Sequence, residues 1–220
     1  MGLSEREQLK SPYLGEGFFN DDIKKQLEES KLPYEYYDDI VSKTAELIAH
    51  GNIVGWFQDR SEWGPRALGN RSILADPTRP DMKDRINKCV KHREDFRPFA
   101  PSIALEAAGT FFEGIESNPF MLFVVKAKDI AKKKIPAVVH VDGTSRVQTV
   151  SRDINPRYYQ LLKAFEKIKA VPVLLNTSFN VNNDPIVNSP QDAIRCFYST
   201  GIDYLVIGNY LLAKKVDIGY

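Results

Sequence analysis

The stretch RSEWGPRALGNRS, residues 60–72, sets Arg60, Arg66 and Arg71 around Gly64, Pro65 and Gly69. Glycine and proline at these positions argue against a buried helix and predict a loop that carries positive charge. Gly64, Gly69 and the adjoining amides could approach an anion closely, while Arg66 and Arg71 could converge on it with forked donors that suit phosphate or carboxylate oxygens. A solvated surface loop accounts for the same residue types. A second cationic stretch, VKHREDFRPFAPS at residues 90–102, places Lys91, Arg93 and Arg97 among Phe96, Pro98, Phe99 and Pro101. Rings beside charges predict cations against apolar walls, where low dielectric strengthens each contact with a compact polyanion. Two separated cationic elements suit a triphosphate better than a single phosphate.

Two polar segments could complete such a site. In LLNTSFNVNNDP, residues 174–185, Asn176, Thr177, Ser178 and Asn180 follow an apolar run. Their hydroxyls and amides either orient a small polar group or satisfy the backbone of their own turn. HVDGTSRVQTV, residues 140–150, adds His140, Asp142 and Arg146, and its plain reading is a hairpin with outward polar side chains. The chain has no Walker A sequence, no Gly-x-Gly-x-x-Gly and no Cys-x-x-Cys. His50, His92 and His140 lack metal-ligand spacing, which argues against a resident zinc or iron site, whereas Mg²⁺ can arrive with a nucleotide.

The elements that must hold these residues follow from periodicity and capping. Residues 21–30 predict a short helix. Residues 38–50 predict a second, capped by Asp38 or Asp39 and stopped at Gly51. NIVGWF reads as a buried strand, so the first cationic loop follows a strand, where α/β folds place binding residues. SILAD is a further strand, and a helix from Pro80 repeats Met82, Ile86, Cys89 and Val90, with Lys91 at its end. Strands are predicted in FMLFVVKA, AVVHV and SRVQTV, the last two joined by a hairpin turn at Asp142-Gly143-Thr144. A helix over residues 156–169 leads into the strand VPVLLN. Ser189, Pro190 and Asp192 open another helix, and DYLVIGNYLLAKK closes with a strand pair. Interleaved strands and helices, with no repeat or linker, predict one α/β domain over residues 21–220 behind an irregular lead-in over residues 1–20.

The totals set bounds. A chain of 220 residues can bury a substantial core. Its formal net charge of +1 argues against bulk polyanion binding as the main task. The charge is uneven: residues 1–40 hold ten carboxylates against five basic groups, and residues 60–97 hold ten Lys or Arg against six carboxylates. The acidic arm is either a solvated face or a docking surface for a partner. No apolar run approaches a membrane span and no apolar signal core opens the chain, so a cytoplasmic protein is expected. Cys89 and Cys196, each in an apolar-periodic stretch, are expected as reduced core thiols.

Taken together, GWFQDRSEWGPRALGNRSILADP, VKHREDFRPFAPS, IPAVVHVDGTSRVQTV and PVLLNTSFNVNNDPIV resemble the C-terminal, YrdC-like domain of O-carbamoyltransferases of the NodU/CmcH type. The likeness spans residues 11–214 with every motif in order. It implies a YrdC-like α/β fold, a twisted mixed β-sheet with flanking helices. It also implies binding of ATP and carbamoyl phosphate and formation of carbamoyl adenylate with pyrophosphate release. A Kae1-like partner, domain or subunit, then passes the carbamoyl group to an acceptor hydroxyl. The resemblance implies that Arg66, Arg71, Lys91, Arg97, Arg146, Ser178 and Asn180 line the site, with Lys91 and Arg97 on the nucleotide. Arg66, Arg71 and Arg146 would compensate carbamoyl phosphate and the developing charge, and Ser178 and Asn180 would orient the reacting groups. Arg60 has no role in it.

Two departures stand beside these motifs: Asp59 replaces a common glycine, and Asn182-Asn183-Asp184 replaces a Gly-Glu ending. No ASKHA-type half and no His-x-x-x-His motif belonging to it accompanies the resemblance. Two other readings are a noncatalytic YrdC-like RNA-binding module, against which the near-zero net charge weighs, and an enzyme that makes a threonine-derived carbamate for tRNA.

Overall fold

A computed structural model describes residues 9–182 and 184–214. Ten strands and seven α-helices alternate along them. The order is α1 (Asn20–Glu29), β1 (Glu35–Tyr36), α2 (Ile40–Ala49), β2 (Val54–Phe57), β3 (Arg71–Ala75), α3 (Met82–Ile86), β4 (Ala100–Ala104), α4 (Ala108–Phe111), β5 (Val125–Lys126) and α5 (Asp129–Lys134). There follow β6 (Thr144–Ser145), β7 (Gln148–Val150), α6 (Pro156–Lys169), β8 (Val173–Ser178), α7 (Pro190–Tyr198), β9 (Tyr204–Ile207) and β10 (Tyr210–Ala213). Eight strands form one mixed sheet in the order β1-β10-β9-β2-β3-β8-β4-β7, and β5 pairs with β6 apart from it.

Local chemistry explains the main helices. Asp39 caps α2 by accepting from the Ser42 amide at 3.0 Å. Asn155 caps α6, with Pro156 in its first turn, and Ser189 and Asp192 form a reciprocal capping box on α7. Every residue of β2 and β3 is buried, which requires cover on both faces of the sheet. Helices α2 and α6 pack against each other and on β2, β3, β4 and β8, while α7 lies on β2 and β9 with α1 beside it. Gly69 is held at φ +106°, and a β-carbon there would meet the Tyr158 ring at 2.2 Å, so α6 can approach the first cationic loop only over a glycine.

Several expected elements differ. Only Val125 and Lys126 of FMLFVVKA are a strand, and Leu122, Phe123 and Val124 are exposed. Asn118 explains this, because its amide donates to the Phe123 and Val147 carbonyls and accepts from the Leu122 amide, winding the segment into a loop that turns at Met121. AVVHV is not a strand: Pro136 opens a 3-10 turn through Val138. The turn at residues 140–144 does form, joined by His140 N–H to the Thr144 carbonyl at 2.8 Å, but without the predicted strand before it. SRVQTV is broken into β6 and β7 on either side of Arg146 and Val147. The strand expected over residues 171–176 begins at Val173 and extends two residues farther, so Thr177 and Ser178 belong to β8.

Residues 9–19 carry no helix, Asn20 already belongs to α1, and residues 1–8 of the lead-in lie outside the described residues. It is tied to the first cationic loop by Trp63 N–H to Pro12, Ser61 N–H to Glu16 and Gly15 N–H to Ser61. Asn183 and Lys215 of the quoted motifs also lie outside the described residues. Cys89 and Cys196 are free thiols, Cys196 buried and Cys89 partly so. Among the described residues, no helix is long and apolar enough to cross a membrane.

Candidate functional site

Strand direction brings distant loops to one end of the sheet. β8 runs antiparallel to both β3 and β4, and β4 runs parallel to β7. The carboxyl end of β8 therefore lies beside the starts of β3, β4 and β7. Arg66 precedes β3, Arg93 and Arg97 precede β4, Arg146 precedes β7, and Asn180 follows Ser178 at the end of β8. The carboxyl end of β2, antiparallel to β3, is here too. Strand starts thus contribute most of the charge, a departure from the carboxyl-end arrangement expected from the strand-then-loop order.

A cavity of about 410 Å³ opens at this end, walled by Arg66, Arg93, Arg97, Arg146 and His140 together with Phe99, Met121, Asn176, Thr177 and Ser178. Among the described residues, no carboxylate lines it. Among the described residues, none of the four arginines makes an ion pair. Burial and then the charge of Arg146 lower the proton affinity of Arg66, and burial and then the charge of Arg97 lower that of Arg93. His140 is lowered by burial, with Arg146 adding to the effect against the pull of Asp142. Such a set of uncompensated guanidiniums favours an anionic ligand.

The second cationic stretch is built on a buried amide. Helix α3 continues as a π-helical turn over Asn87–Lys91 and ends at His92 in the left-handed region. Asn87, fully buried, donates to the Arg97 carbonyl at 3.1 Å and accepts from Arg93 Nε at 2.7 Å. Arg93 also lies 4.8 Å from the centre of the Phe99 ring. Phe99 is the ring that packs inward; Phe96, expected to be buried, is exposed.

Lys91 turns the other way, into the protein. Only 2% exposed, its ammonium meets the Ser178 carbonyl at 2.6 Å, the Asn180 carbonyl at 2.9 Å and Asn180 Oδ1 at 2.7 Å. Ser178 Oγ donates to the same Oδ1 at 2.7 Å. Burial, then the charge of Arg93, pushes the Lys91 ammonium down to about 7. Lys91, Ser178 and Asn180 are therefore one cluster, and Lys91 reaches the cavity through the oxygens it holds. Ser178 and Pro65 also border a second cavity of about 470 Å³, lined by Glu62, Arg71, Asn180, Ile186 and Val187 among others.

Arg71 is not a loop cation. It opens β3 with no exposure, stacks 3.6 Å from the centre of the Phe57 ring, and donates to the carbonyls of Glu16, Gln58, Asp59, Asn70 and Asn188. Burial pushes it down to about 10. It borders the second cavity rather than converging with Arg66. Around Gly69 the loop amides expected to cradle an anion are occupied: Glu62 Oε1 accepts from Leu68, Asn70 and Arg71, and Ser72 Oγ accepts from Gly69. Arg60 lies outside both cavities and donates to the Leu14 carbonyl.

Arg66, Arg97, Arg146 and Ser178 therefore share the cationic cavity. Arg93, His140, Asn176 and Thr177, which stand in the candidate stretches but outside the set implied by the resemblance, join them. Arg93 was visible only as one charge of three. Asn87 had a weak signal, a polar residue interrupting the apolar face between Ile86 and Val90.

The family model for the carbamoyltransferase C-terminus matches residues 45–214. The chain belongs to the carbamoyltransferase C-terminus family. The nodulation protein NolNO of Sinorhizobium fredii is 50% identical over 219 residues, covering 96% of this chain and 32% of that protein. The 3'-hydroxymethylcephem-O-carbamoyltransferase of Amycolatopsis lactamdurans is 41% identical over 162 residues, covering 74% of this chain and 31% of that enzyme. The chain spans about a third of the length of these relatives. Full-length HypF in its phosphate- and nucleotide-bound form aligns with a TM-score of 0.52 at 16% identity, over 83% of this chain and 22% of that one. Sua5 of P. abyssi complexed with L-threonine aligns at 0.55 and 16%, over 77% and 46%. The carbamoyltransferase C-terminus thus has a YrdC-like α/β fold.

Proposed function

We propose that this chain is the ATP- and carbamoyl-phosphate-binding part of an O-carbamoyltransferase and forms carbamoyl adenylate with release of pyrophosphate. The single observation that carries this reading is the cavity with four arginines and, among the described residues, no carboxylate, beside a seryl–asparaginyl cluster held by a buried lysine. Carbamoyl phosphate and ATP are both anionic and repel each other, so a catalyst must neutralise both and hold them near contact distance. In this reading Arg66, Arg93, Arg97 and Arg146 bind the phosphoryl groups. Ser178 and Asn180, held by Lys91, orient the carbamoyl group and the α-phosphate. Arg71 acts from beneath by fixing the loop that carries Arg66.

Water splits carbamoyl phosphate to phosphate and carbamate. A carbamate oxygen then bonds to the α-phosphorus of ATP as the bond to the β-phosphate oxygen breaks and pyrophosphate leaves. Mg²⁺ would be carried by the nucleotide's phosphates, since among the described residues no group of three or more His, Cys, Asp or Glu could hold it. The carbamoyl group would pass to an acceptor hydroxyl on a Kae1-like partner, domain or subunit. The test is pyrophosphate release by the purified chain with ATP and carbamoyl phosphate, expected to require both. Absence of release together with absence of ATP binding would overturn the reading. RNA binding that falls with salt and is not displaced by ATP would point to a binding module instead.

A further inference from the structure

Among the described residues, the cationic cavity is walled by guanidiniums, hydroxyls and amides, which donate strongly but are poor proton acceptors near neutral pH, and by no carboxylate. Of these residues His140 is the one proton acceptor of useful basicity. Its surroundings fix which nitrogen is free. Thr144 Oγ1 donates its one hydrogen to Asp142 Oδ1 at 2.7 Å, so towards His140 Nδ1, 3.2 Å away, it can only accept. His140 therefore carries its proton on Nδ1 and keeps a lone pair on Nε2. The turn itself is closed by the Thr144 amide on Asp142 at 3.0 Å and by His140 N–H on the Thr144 carbonyl at 2.8 Å.

We propose that His140 is the general base for the splitting of carbamoyl phosphate in this cavity, with Thr144 and Asp142 as positioning residues. The inference rests on the carbamoyl-phosphate reading above. The nitrogen lone pair of the carbamoyl group makes its carbonyl a poor electrophile, whereas guanidiniums draw charge from the phosphoryl oxygens, so attack falls on phosphorus. A bond forms between the water oxygen and phosphorus, and the bond from phosphorus to the carbamoyl oxygen breaks. Its electron pair leaves on carbamate, and the water proton goes to His140 Nε2. The later attack of carbamate on ATP uses an oxygen already ionised and needs no base.

The proposal separates the two half-reactions. Pyrophosphate release is measured for wild type and His140→Gln with either carbamoyl phosphate or ammonium carbamate as the donor, each with ATP. His140→Gln should lose roughly 100-fold or more in kcat with carbamoyl phosphate, the scale of general-base catalysis, with KM little changed. With ammonium carbamate it should keep a rate within about threefold of wild type, which also shows that the variant is folded. Oxygen-18 from water should appear in phosphate.

Thr144→Val should lose less, roughly tenfold, because it frees the tautomer without removing the base. The charged groups around His140 are Asp142 and Arg146 of its own turn and Arg66, Arg93 and Arg97 of the wall; Lys132 of α5 passes beside Gly143 and pairs with Asp129. With the base held below the ordinary histidine range, the wild-type rate should fall only on the acid side of that range, and His140→Gln should lack this limb. Equal losses with both donors, or no loss with either, would overturn the role of His140. A wild type inactive with both donors would overturn the carbamoyl-phosphate reading itself.

Discussion

Arg71 and the cavity arginines are the same residue type within one small region, yet their surroundings assign them opposite tasks. Arg71 is buried and spends its donors on five backbone carbonyls, whereas Arg66, Arg93, Arg97 and Arg146 face a cavity where no acid among the described residues meets them. A guanidinium whose donors are satisfied holds a fold together. One whose donors are left over holds a ligand.

The sharpest test of that contrast is Arg71→Ala. It would strand several inward carbonyls from the lead-in, the first cationic loop and residue 188, at a cost of about 3–5 kcal/mol by analogy with broken buried charge contacts. Urea unfolding should register it, and Arg71→Lys should not restore stability, because one ammonium cannot reach acceptors on so many sides. An Arg71→Ala protein of normal stability would erase the distinction. Arg97→Ala should behave in the opposite sense, weakening ATP or pyrophosphate binding by roughly 10–100-fold in calorimetry while stability stays within about 0.5 kcal/mol.

Lys91 lies between the two cases, buried like Arg71 but held at the cavity floor. Its ammonium is pushed down to about 7, against 10.5 when exposed. Between those values the unfolded chain holds the proton that the folded chain releases. Its contribution to stability therefore rises with pH from about 7 towards 10.5 and levels off below 7, with a slope of at most about 1.4 kcal/mol per pH unit. Lys91→Met should remove this slope when urea unfolding is compared at pH 7 and pH 9. The smallest effect is expected at Glu62, whose carboxylate holds three loop amides. Glu62→Gln should keep the acceptor, weaken it, and cost about 1 kcal/mol, measured by thermal unfolding.

Much of the fold was legible because its signals are local. Ser189, Pro190 and Asp192 announce α7, and apolar runs announce β2, β3 and β8. In the segment from residue 120 to 150, tertiary partners override the apolar runs. Asn118 draws the Leu122–Val124 backbone into a loop through contacts that reach Val147, and nothing in the local pattern announces a partner so far along the chain.

By itself the sequence determined that cations, hydroxyls and amides would cluster on loops of an α/β domain, since charge, glycine and proline act over a few residues. It also carried the family resemblance, because the motifs are contiguous. Only the tertiary structure decided which cations are left over. The antiparallel course of β8 between β3 and β4, and the parallel pairing of β4 with β7, collect four loops at one end of the sheet. Besides its neighbour Asn70, the carbonyls that consume Arg71 come from residues 16, 58, 59 and 188, 12 or more positions away, and no short-range rule could have joined them. Hydrogen-bond saturation is a property of the assembled neighbourhood, so the separation of structural from ligand-facing arginines appears only when the chain is folded.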